Sequence, residues 1–150
     1  MEVGFIRRRR ARGGDGRTLA PFVRRLARFA RSQADEVTVV FTDDQEMAQL
    51  NRRYRGRDRS TDVLSFPGGT GPDGVVCQGE IVISLEKARR QAAQRHHSLD
   101  TEICYLLIHG FLHLMGFEHE VDSGEMAGEE RRLRRLLLPA SGGAGQAAVS

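Results

Sequence analysis

The order of apolar patterns along the chain predicts an α+β or α/β domain, in which helices pack on one sheet of about four strands. Short β-branched segments alternate with longer amphipathic segments, and stretches rich in glycine or proline separate them. The chain has 150 residues and no internal repeat, which is enough to bury the core of one domain. We expect a single domain at residues 1–138 and a disordered tail at residues 139–150, which are small and polar.

Four segments have the β-branched character of strands. They are EVGFI at residues 2–6, EVTVVF at 36–41, TDVLSF at 61–66 and EIVIS at 80–84. Residues 67–79 are rich in glycine and proline, which predicts a loop with at most a short strand at residues 75–77.

Five segments have the apolar periodicity of helices. They cover residues 18–33, 42–56, 85–96, 98–116 and 123–138. Side chains that accept hydrogen bonds from the first turn are expected at Thr42 or Asp43 for the second helix. Ser98 or Asp100 is expected to cap the fourth helix in the same way. His96 and His97, just before that helix, are expected at the surface.

Arginine supplies almost all of the positive charge in a chain whose net charge is only +3. The arginines concentrate in a run at residues 7–10 and in a second group at residues 52–59. Because the guanidinium is a two-pronged donor for phosphate, these groups are compatible with a basic face for a polyanion. They do not by themselves specify one.

The cysteines and the N-terminal segment indicate the cellular compartment of the protein. Cys77 and Cys104 lack the spacing of a metal or redox motif, and Cys104 falls in an apolar helical pattern typical of an inert core thiol. The basic start is not followed by the apolar segment of a signal peptide. The apolar segment at residues 103–117 is too short for a membrane span. We therefore expect a cytoplasmic protein that does not bind membranes.

The segment HGFLHLMGFEH, residues 109–119, matches the metzincin protease pattern H-E-x-x-H-x-x-G-x-x-H at every position but one. His109 and His113 are four residues apart, so they lie on one face of a helix. Gly116 can end that helix in a left-handed conformation, and the chain can turn back so that His119 reaches the same ion. Three imidazoles leave a fourth position open, which predicts one catalytic Zn²⁺ per chain.

Gly110 is the exception to the protease pattern, which has its general-base glutamate there. Glycine inside a helix costs about 1 kcal/mol relative to alanine, so we expect a backbone or a substrate to approach this turn closely. The chemistry should need less of a dedicated base beside the metal. Phosphodiester cleavage fits, with an arginine supplying the second positive charge.

Several ordered segments resemble one known family, the YbeY endoribonucleases. HGFLHLMGFEH is similar to the family signature H-G-x-L-H-L-x-G-x-D-H, and LNRRYRGRDRSTDVLSF at residues 50–66 resembles a second family block. GEIVIS at residues 79–84 and Gln91-Ala92 are similar to further family elements. The resemblance implies an α+β domain with a small mixed four-stranded sheet, packed helices and a central zinc-binding helix.

Carried over by position, the resemblance implies His109, His113 and His119 as zinc ligands, with His109 and Arg55 as catalytic residues. It implies single-strand-specific cleavage of RNA in 16S ribosomal RNA maturation and ribosome quality control. The implied partners are single-stranded RNA, ribosomal RNA and the small ribosomal subunit, without DNA. Ribosomal proteins or an assembly GTPase are further candidate partners.

Two other functions remain open from the residues alone. One is a zinc metallopeptidase whose base is Glu118 or another acid, and the other is a non-enzymatic ribosome-assembly factor with structural zinc. The role of Glu118 is open, as is that of Asp62, which could orient Arg55 or a ligand histidine. Zinc-bound water and the RNA 2′-hydroxyl both remain possible nucleophiles.

Overall fold

Four strands form one mixed sheet in the order β1-β2-β4-β3, which confirms the predicted α+β fold class. The structure, a computed structural model, describes residues 1–56, 61–118 and 123–138. The strands are β1 (Glu2–Arg7), β2 (Glu36–Thr42), β3 (Val63–Pro67) and β4 (Cys77–Ser84). The helices are α1 (Gly16–Phe29), α2 (Asp44–Arg55), α3 (Leu85–Gln94), α4 (Leu99–Leu114) and α5 (Glu125–Leu137). The predicted tail at residues 139–150 lies outside the described residues.

Strand β3 forms one edge of the sheet and is its antiparallel member. β1, β2 and β4 run parallel, and β3 pairs antiparallel with β4 from Val63 opposite Ile83 to Pro67 opposite Gly79. The short strand expected at residues 75–77 is instead a single bridge between Val76 and Thr70, followed directly by β4.

Local capping explains where the helices begin. Asp43 accepts a hydrogen bond from the Glu46 amide and Ser98 accepts one from the Thr101 amide, as predicted for α2 and α4. The first helix differs from the prediction, because Asp15 caps it and it begins at Gly16, two residues before the expected start.

The first helix also ends earlier than predicted, at Phe29 instead of residue 33. Arg31 has a φ of 63°, so the backbone leaves the right-handed helical region there.

The two faces of the sheet are covered unequally. Odd-numbered strand residues such as Val39 and Ile81 face the main core, which also contains side chains of α1, α3, α4 and α5. Even-numbered residues such as Val40 and Val82 pack with Met47 of α2 in a much smaller cluster. Cys104 lies in the main core, and burial raises the pKa of its thiol to about 12, as expected for an unreactive core cysteine.

Helix α4 approaches the sheet most closely at Gly110. A Cβ added there would lie 2.8 Å from Ile81 Cγ2 and 3.1 Å from Ser65 Oγ. The Ser65 hydroxyl also donates a hydrogen bond of 2.8 Å to the Gly110 carbonyl oxygen. The close approach predicted from the glycine is therefore present, but the neighbours are side chains of the sheet, not another backbone or a substrate.

A buried carboxylate holds the start of α4. Glu102 is fully buried, and its two oxygens contact Arg95 Nη1 at 2.7 Å and His97 Nε2 at 2.6 Å. This contact leaves His97 half-buried, less exposed than the surface position predicted for it, whereas His96 is exposed as expected. Within the described ranges, no helix is long and apolar enough to cross a membrane.

The contact at Gly110 can be tested by adding one methyl group. Gly110→Ala should lower the free energy of unfolding by about 1–3 kcal/mol, because the new Cβ overpacks the helix–sheet contact. Gly128→Ala in α5 is the matched control, since its Cβ would meet only the Arg131 guanidinium, at 3.8 Å. That variant should gain about 0.4–1 kcal/mol. Urea unfolding followed by circular dichroism measures the free energy of unfolding of both variants. If Gly110→Ala stabilises the protein as much as Gly128→Ala, the close contact at Gly110 is contradicted.

Candidate active site

A cleft of about 570 Å³ opens beside the edge strand β3. Its walls come from the last turn of α2, from β3 and the residues before it, from α3, and from the second half of α4. Arg55, His109 and His113 all line this cleft, as does Glu118. The structure thus brings together those predicted site residues that it describes.

The two histidines of α4 converge inside the cleft. The Nε2 atoms of His109 and His113 lie 3.1 Å apart, and the ring planes meet at 79°. Each ring has its other nitrogen engaged: His109 Nδ1 lies 3.1 Å from Glu130 Oε2, and His113 Nδ1 lies 2.9 Å from the Phe117 carbonyl oxygen. Both rings are therefore held in fixed orientations.

These contacts determine which ring nitrogens carry hydrogen. A carbonyl oxygen only accepts hydrogen bonds, so His113 Nδ1 must be the donor, and the neutral ring then has its lone pair on Nε2. The Glu130 carboxylate imposes the same arrangement on His109. Two lone pairs cannot face each other at 3.1 Å without a cation or a proton between them.

The pair fits a shared metal ion. Two imidazole nitrogens bound to one tetrahedral zinc at about 2.0–2.1 Å lie about 3.3 Å apart, close to the separation seen here. A metal-binding histidine usually donates a hydrogen bond from its other ring nitrogen to a carboxylate or a carbonyl oxygen, which fixes the orientation of the ring. Among residues 1–56, 61–118 and 123–138, no group of three potential ligand side chains converges. His119, the predicted third ligand, lies outside these ranges and stays a prediction.

The end of α4 follows the prediction for Gly116. This glycine has a φ of 100°, and its amide donates to the His113 carbonyl oxygen at 3.0 Å. The Phe117 amide reaches back to the Leu112 carbonyl oxygen, also at 3.0 Å. This is a Schellman arrangement, and it reverses the chain directly after the second histidine. It also puts the Phe117 carbonyl where His113 can donate to it.

Positive charge also lines the cleft. Arg55 is exposed in the last turn of α2, and within the part of the chain that the structure describes, its guanidinium makes no hydrogen bond or ion pair. Lys87 of α3 lines the same cleft and was not singled out from the sequence.

By contrast, much of the N-terminal arginine run is engaged internally. Arg7 donates to backbone carbonyl oxygens, Arg8 pairs with Glu46, and Arg9 contacts Gln45. These three arginines are exposed, but their contacts also hold the segment after β1 in place.

The polar side chains deeper in the cleft form a separate contact. Gln91 Nε2 donates to the Asp62 carboxylate at 3.2 Å, so among the described residues Asp62 orients neither Arg55 nor a histidine. Gln91 Oε1 is buried and has no hydrogen-bond partner within the described part of the chain. Because Gln91 lines the cleft, a bound molecule that donates a hydrogen bond could satisfy this oxygen.

Glu130 is the site residue that the sequence analysis missed. It lies on the buried face of α5 with Met126, Leu133 and Leu137, spaced at one helical stripe. An acid in an otherwise apolar stripe was the available signal, since a buried carboxylate needs a charged or hydrogen-bonding partner. The sequence does not indicate which partner, because His109 lies in another helix.

A histidine pair with supported orientations thus lines one cleft together with an arginine and a lysine, and these groups suit the cleavage of a phosphodiester. The family model described as "Endoribonuclease YbeY" matches residues 17–137 of the chain. The chain belongs to the YbeY endoribonuclease family. It is thus an enzyme of the class that hydrolyses RNA internally.

Individual relatives agree with this assignment. The chain is 45% identical over 107 residues to endoribonuclease YbeY of Nautilia profundicola, a match that covers 71% of this chain and 76% of the relative. It is 42% identical over 138 residues to endoribonuclease YbeY of Koribacter versatilis, covering 91% and 88%. The fold is similar to the solution structure of TM1509 from Thermotoga maritima, with a TM-score of 0.57 and 24% identity over 87% of this chain and 85% of that one.

Glu130 gives a test of the histidine orientation. Glu130→Gln removes the carboxylate charge that His109 Nδ1 faces, so zinc affinity should fall roughly 10- to 100-fold, as for other lost outer-shell partners. Competition with a chromogenic chelator measures the affinity. Glu129→Gln is the control, because Glu129 accepts from Arg132 Nε at 2.9 Å, whereas Glu130 is the acid that contacts His109. Equal zinc affinity in both variants would show that Glu130 does not contribute to zinc binding.

Proposed function

We propose that the chain is a zinc-dependent endoribonuclease that cleaves single-stranded RNA during 16S ribosomal RNA maturation and ribosome quality control. The observation that carries this proposal is the 3.1 Å approach of the His109 and His113 Nε2 atoms in a cleft that Arg55 also lines. Membership of an endoribonuclease family supports RNA as the substrate.

His109 and His113 would hold the zinc together with His119, the predicted third ligand. The chemistry of the donor set supports zinc, since neutral imidazoles are common ligands of catalytic zinc sites. A bound zinc supplies Lewis-acid polarisation of the phosphodiester and makes water more acidic. The protein's own contribution is to fix both rings through Glu130 and the Phe117 carbonyl oxygen, so that little reorganisation is needed when the metal or the substrate binds.

Arg55 is the proposed partner of the phosphate. Its guanidinium lies at the rim of the cleft and has no protein partner within the described ranges, unlike that of Arg90, which contacts Asp44 at 2.7 Å. A planar guanidinium can donate two parallel hydrogen bonds to phosphate oxygens and stabilise the charge that develops as the phosphodiester is cleaved. Lys87 adds a second positive charge to the same cleft.

The walls of the cleft support the proposed preference for single strands. The cleft that contains the histidines is bounded by α4, by the edge strand β3 and by the last turn of α2. A phosphodiester can reach into such a cleft if the strand bends and its bases unstack. Unpaired RNA does this readily, whereas a duplex must first lose its base pairs.

The two alternative functions receive less support. A metallopeptidase of the metzincin pattern needs a glutamate at position 110, where Ile81 and Ser65 leave no room even for a Cβ. Glu118 does line the cleft, so a comparison of peptide and RNA hydrolysis remains a direct test. A non-enzymatic assembly factor with structural zinc is disfavoured because the family consists of endoribonucleases.

The cellular setting is part of the proposal. Action in ribosomal RNA maturation would make ribosomal RNA and the small ribosomal subunit partners, with a ribosomal protein or an assembly GTPase as candidate protein partners. A cytoplasmic location suits this role. Cys77 and Cys104 support it, because both are free thiols, as is usual in a reducing compartment.

Cleavage of an unstructured RNA oligonucleotide tests the proposed function. Wild-type protein should cut it with zinc bound, should cut its duplex form much more slowly, and should lose activity when a chelator removes the metal. Arg55→Ala should lower the cleavage rate on the order of a hundredfold or more, because a charge partner of the transition state is lost. Zinc content and melting temperature should stay close to wild type, since Arg55 is exposed.

Arg28→Ala is the matched control for Arg55. Arg28 lies in the last turn of α1 and is exposed, and it is not among the cleft residues. Its loss changes the net charge equally and should change the cleavage rate only a few-fold. If the cleavage rate falls equally in both variants, Arg55 contributes only general electrostatic attraction for RNA. Wild-type protein that hydrolyses unfolded casein and leaves RNA intact would overturn the nuclease proposal.

A further inference from the structure

An exposed aromatic ring lies directly beside the candidate active site. Tyr54 precedes Arg55 in the last turn of α2, and 59% of its surface is accessible. Burying a tyrosine ring is favourable, so one left open next to a catalytic cleft calls for an explanation. Phe66 of β3 contacts it edge to face, with centroids 5.1 Å apart and planes at 72°. This contact orients the ring without covering it.

A second cavity connects this ring to the cleft. It measures about 430 Å³ and is lined by Tyr54, Arg55, Leu64, Ser65 and Phe66. Three of these residues, Arg55, Leu64 and Ser65, also line the cleft that contains the histidines. The two cavities therefore adjoin across β3, with Arg55 shared between them. A molecule bound at Arg55 has an aromatic surface within reach on one side and the histidine pair on the other.

The charges around the ring match a nucleic-acid strand. The Arg53 guanidinium lies 5.8 Å from the Tyr54 ring centroid, and Arg55 follows in the chain. An aromatic ring flanked by arginines can stack a base while the neighbouring cations hold the phosphates on either side of it.

We propose that Tyr54 stacks an unpaired base of the RNA substrate, in a nucleotide adjacent to the one whose phosphate reaches Arg55. The inference rests on the proposed function and deepens it, because it assigns a base-binding subsite next to the scissile phosphodiester. Stacking accepts any base, so Tyr54 contributes affinity and a preference for single strands more than a preference for sequence. A base in a duplex is already stacked on its neighbours and is not available to the ring.

The continuity of the two cavities favours RNA over a protein as the occupant. A protein partner bound at this ring would fill the cavity that leads to Arg55 and would block the approach to the histidines. A base of the substrate fills the same space while it keeps the strand aligned with the cleft.

Binding of a 2′-O-methyl RNA oligonucleotide, confirmed by gel to remain intact, measures the contribution of Tyr54. Tyr54→Ala should raise the dissociation constant roughly 5- to 150-fold, which is the loss of affinity typical of one base–aromatic stack. Tyr54→Phe keeps the ring face and should bind within about twofold of wild type. Leu136→Ala is the control for an exposed apolar side chain in another helix, at 44% exposure, and should have no effect.

Abasic nucleotides locate the stacked base. In wild type, removal of one particular base near the scissile position should weaken binding by about the same factor as Tyr54→Ala. In Tyr54→Ala, removal of that base should have no further effect, because the partner is already gone. If Tyr54→Ala binds RNA as tightly as wild type, with the same zinc content and melting temperature, the stacking proposal is wrong. It is also wrong if Tyr54→Ala and the removal of the base each weaken RNA binding independently of the other.

The same assays separate this inference from the proposed function. If wild-type protein neither binds nor cleaves single-stranded RNA, the proposed function itself fails. If wild-type protein cleaves RNA and Tyr54→Ala cleaves and binds equally well, only the base-stacking subsite is wrong. A higher KM with little change in kcat is the kinetic signature expected of Tyr54→Ala, because the stack holds the substrate and lies outside the reacting atoms.

Discussion

The contact of α4 with the sheet at Gly110 determines where every other part of the site can lie. With no Cβ at this position, the helix settles against Ile81 and Ser65, and the Ser65 hydroxyl bonds to the Gly110 carbonyl oxygen. Successive helical residues are about 100° apart, so His109 and His113 project to the same side of this contact, about 100° and 60° from Gly110 around the helix axis. Both line the cleft beside β3. The residue that distinguishes this motif from a protease motif is thus explained by packing. The same packing excludes a catalytic glutamate at position 110.

The histidine orientations depend on two further elements that meet the end of α4. Helix α5 supplies Glu130 to His109, and the reversal at Gly116 supplies the Phe117 carbonyl oxygen to His113. Each ring is held by its Nδ1 atom, so the conformational freedom of the ligands is already lost before a metal binds. The arrangement leaves two nitrogen lone pairs 3.1 Å apart, which is unfavourable unless a cation or a proton lies between them.

Features that depend on local sequence were predictable. The four main strands, the five helices, the caps at Asp43 and Ser98 and the left-handed Gly116 follow from periodicity and capping chemistry, and all are present. The pairing of the two histidines also follows from helical spacing. The mixed sheet, by contrast, was expected from the family resemblance and not from periodicity, because strand order depends on contacts between distant segments.

Features that depend on tertiary contacts were not predictable from spacing. Lys87 lines the cleft from α3, Glu130 reaches His109 from α5, and His97 is half-buried at its contact with the buried Glu102. The arginines at residues 7–9 look like a basic face in sequence but bond to neighbouring backbone and side chains. In each case the sequence does not show which distant residue the side chain contacts.

X-ray absorption at the zinc edge, on wild-type protein purified without chelator, tests the central claim of a catalytic zinc site most directly. The account predicts one zinc per chain with three imidazole nitrogens at about 2.0–2.1 Å and one light, exchangeable fourth ligand. Replacement of His113 by alanine should remove the metal. A protein without bound zinc, or a zinc with four protein ligands including sulfur, would contradict the account.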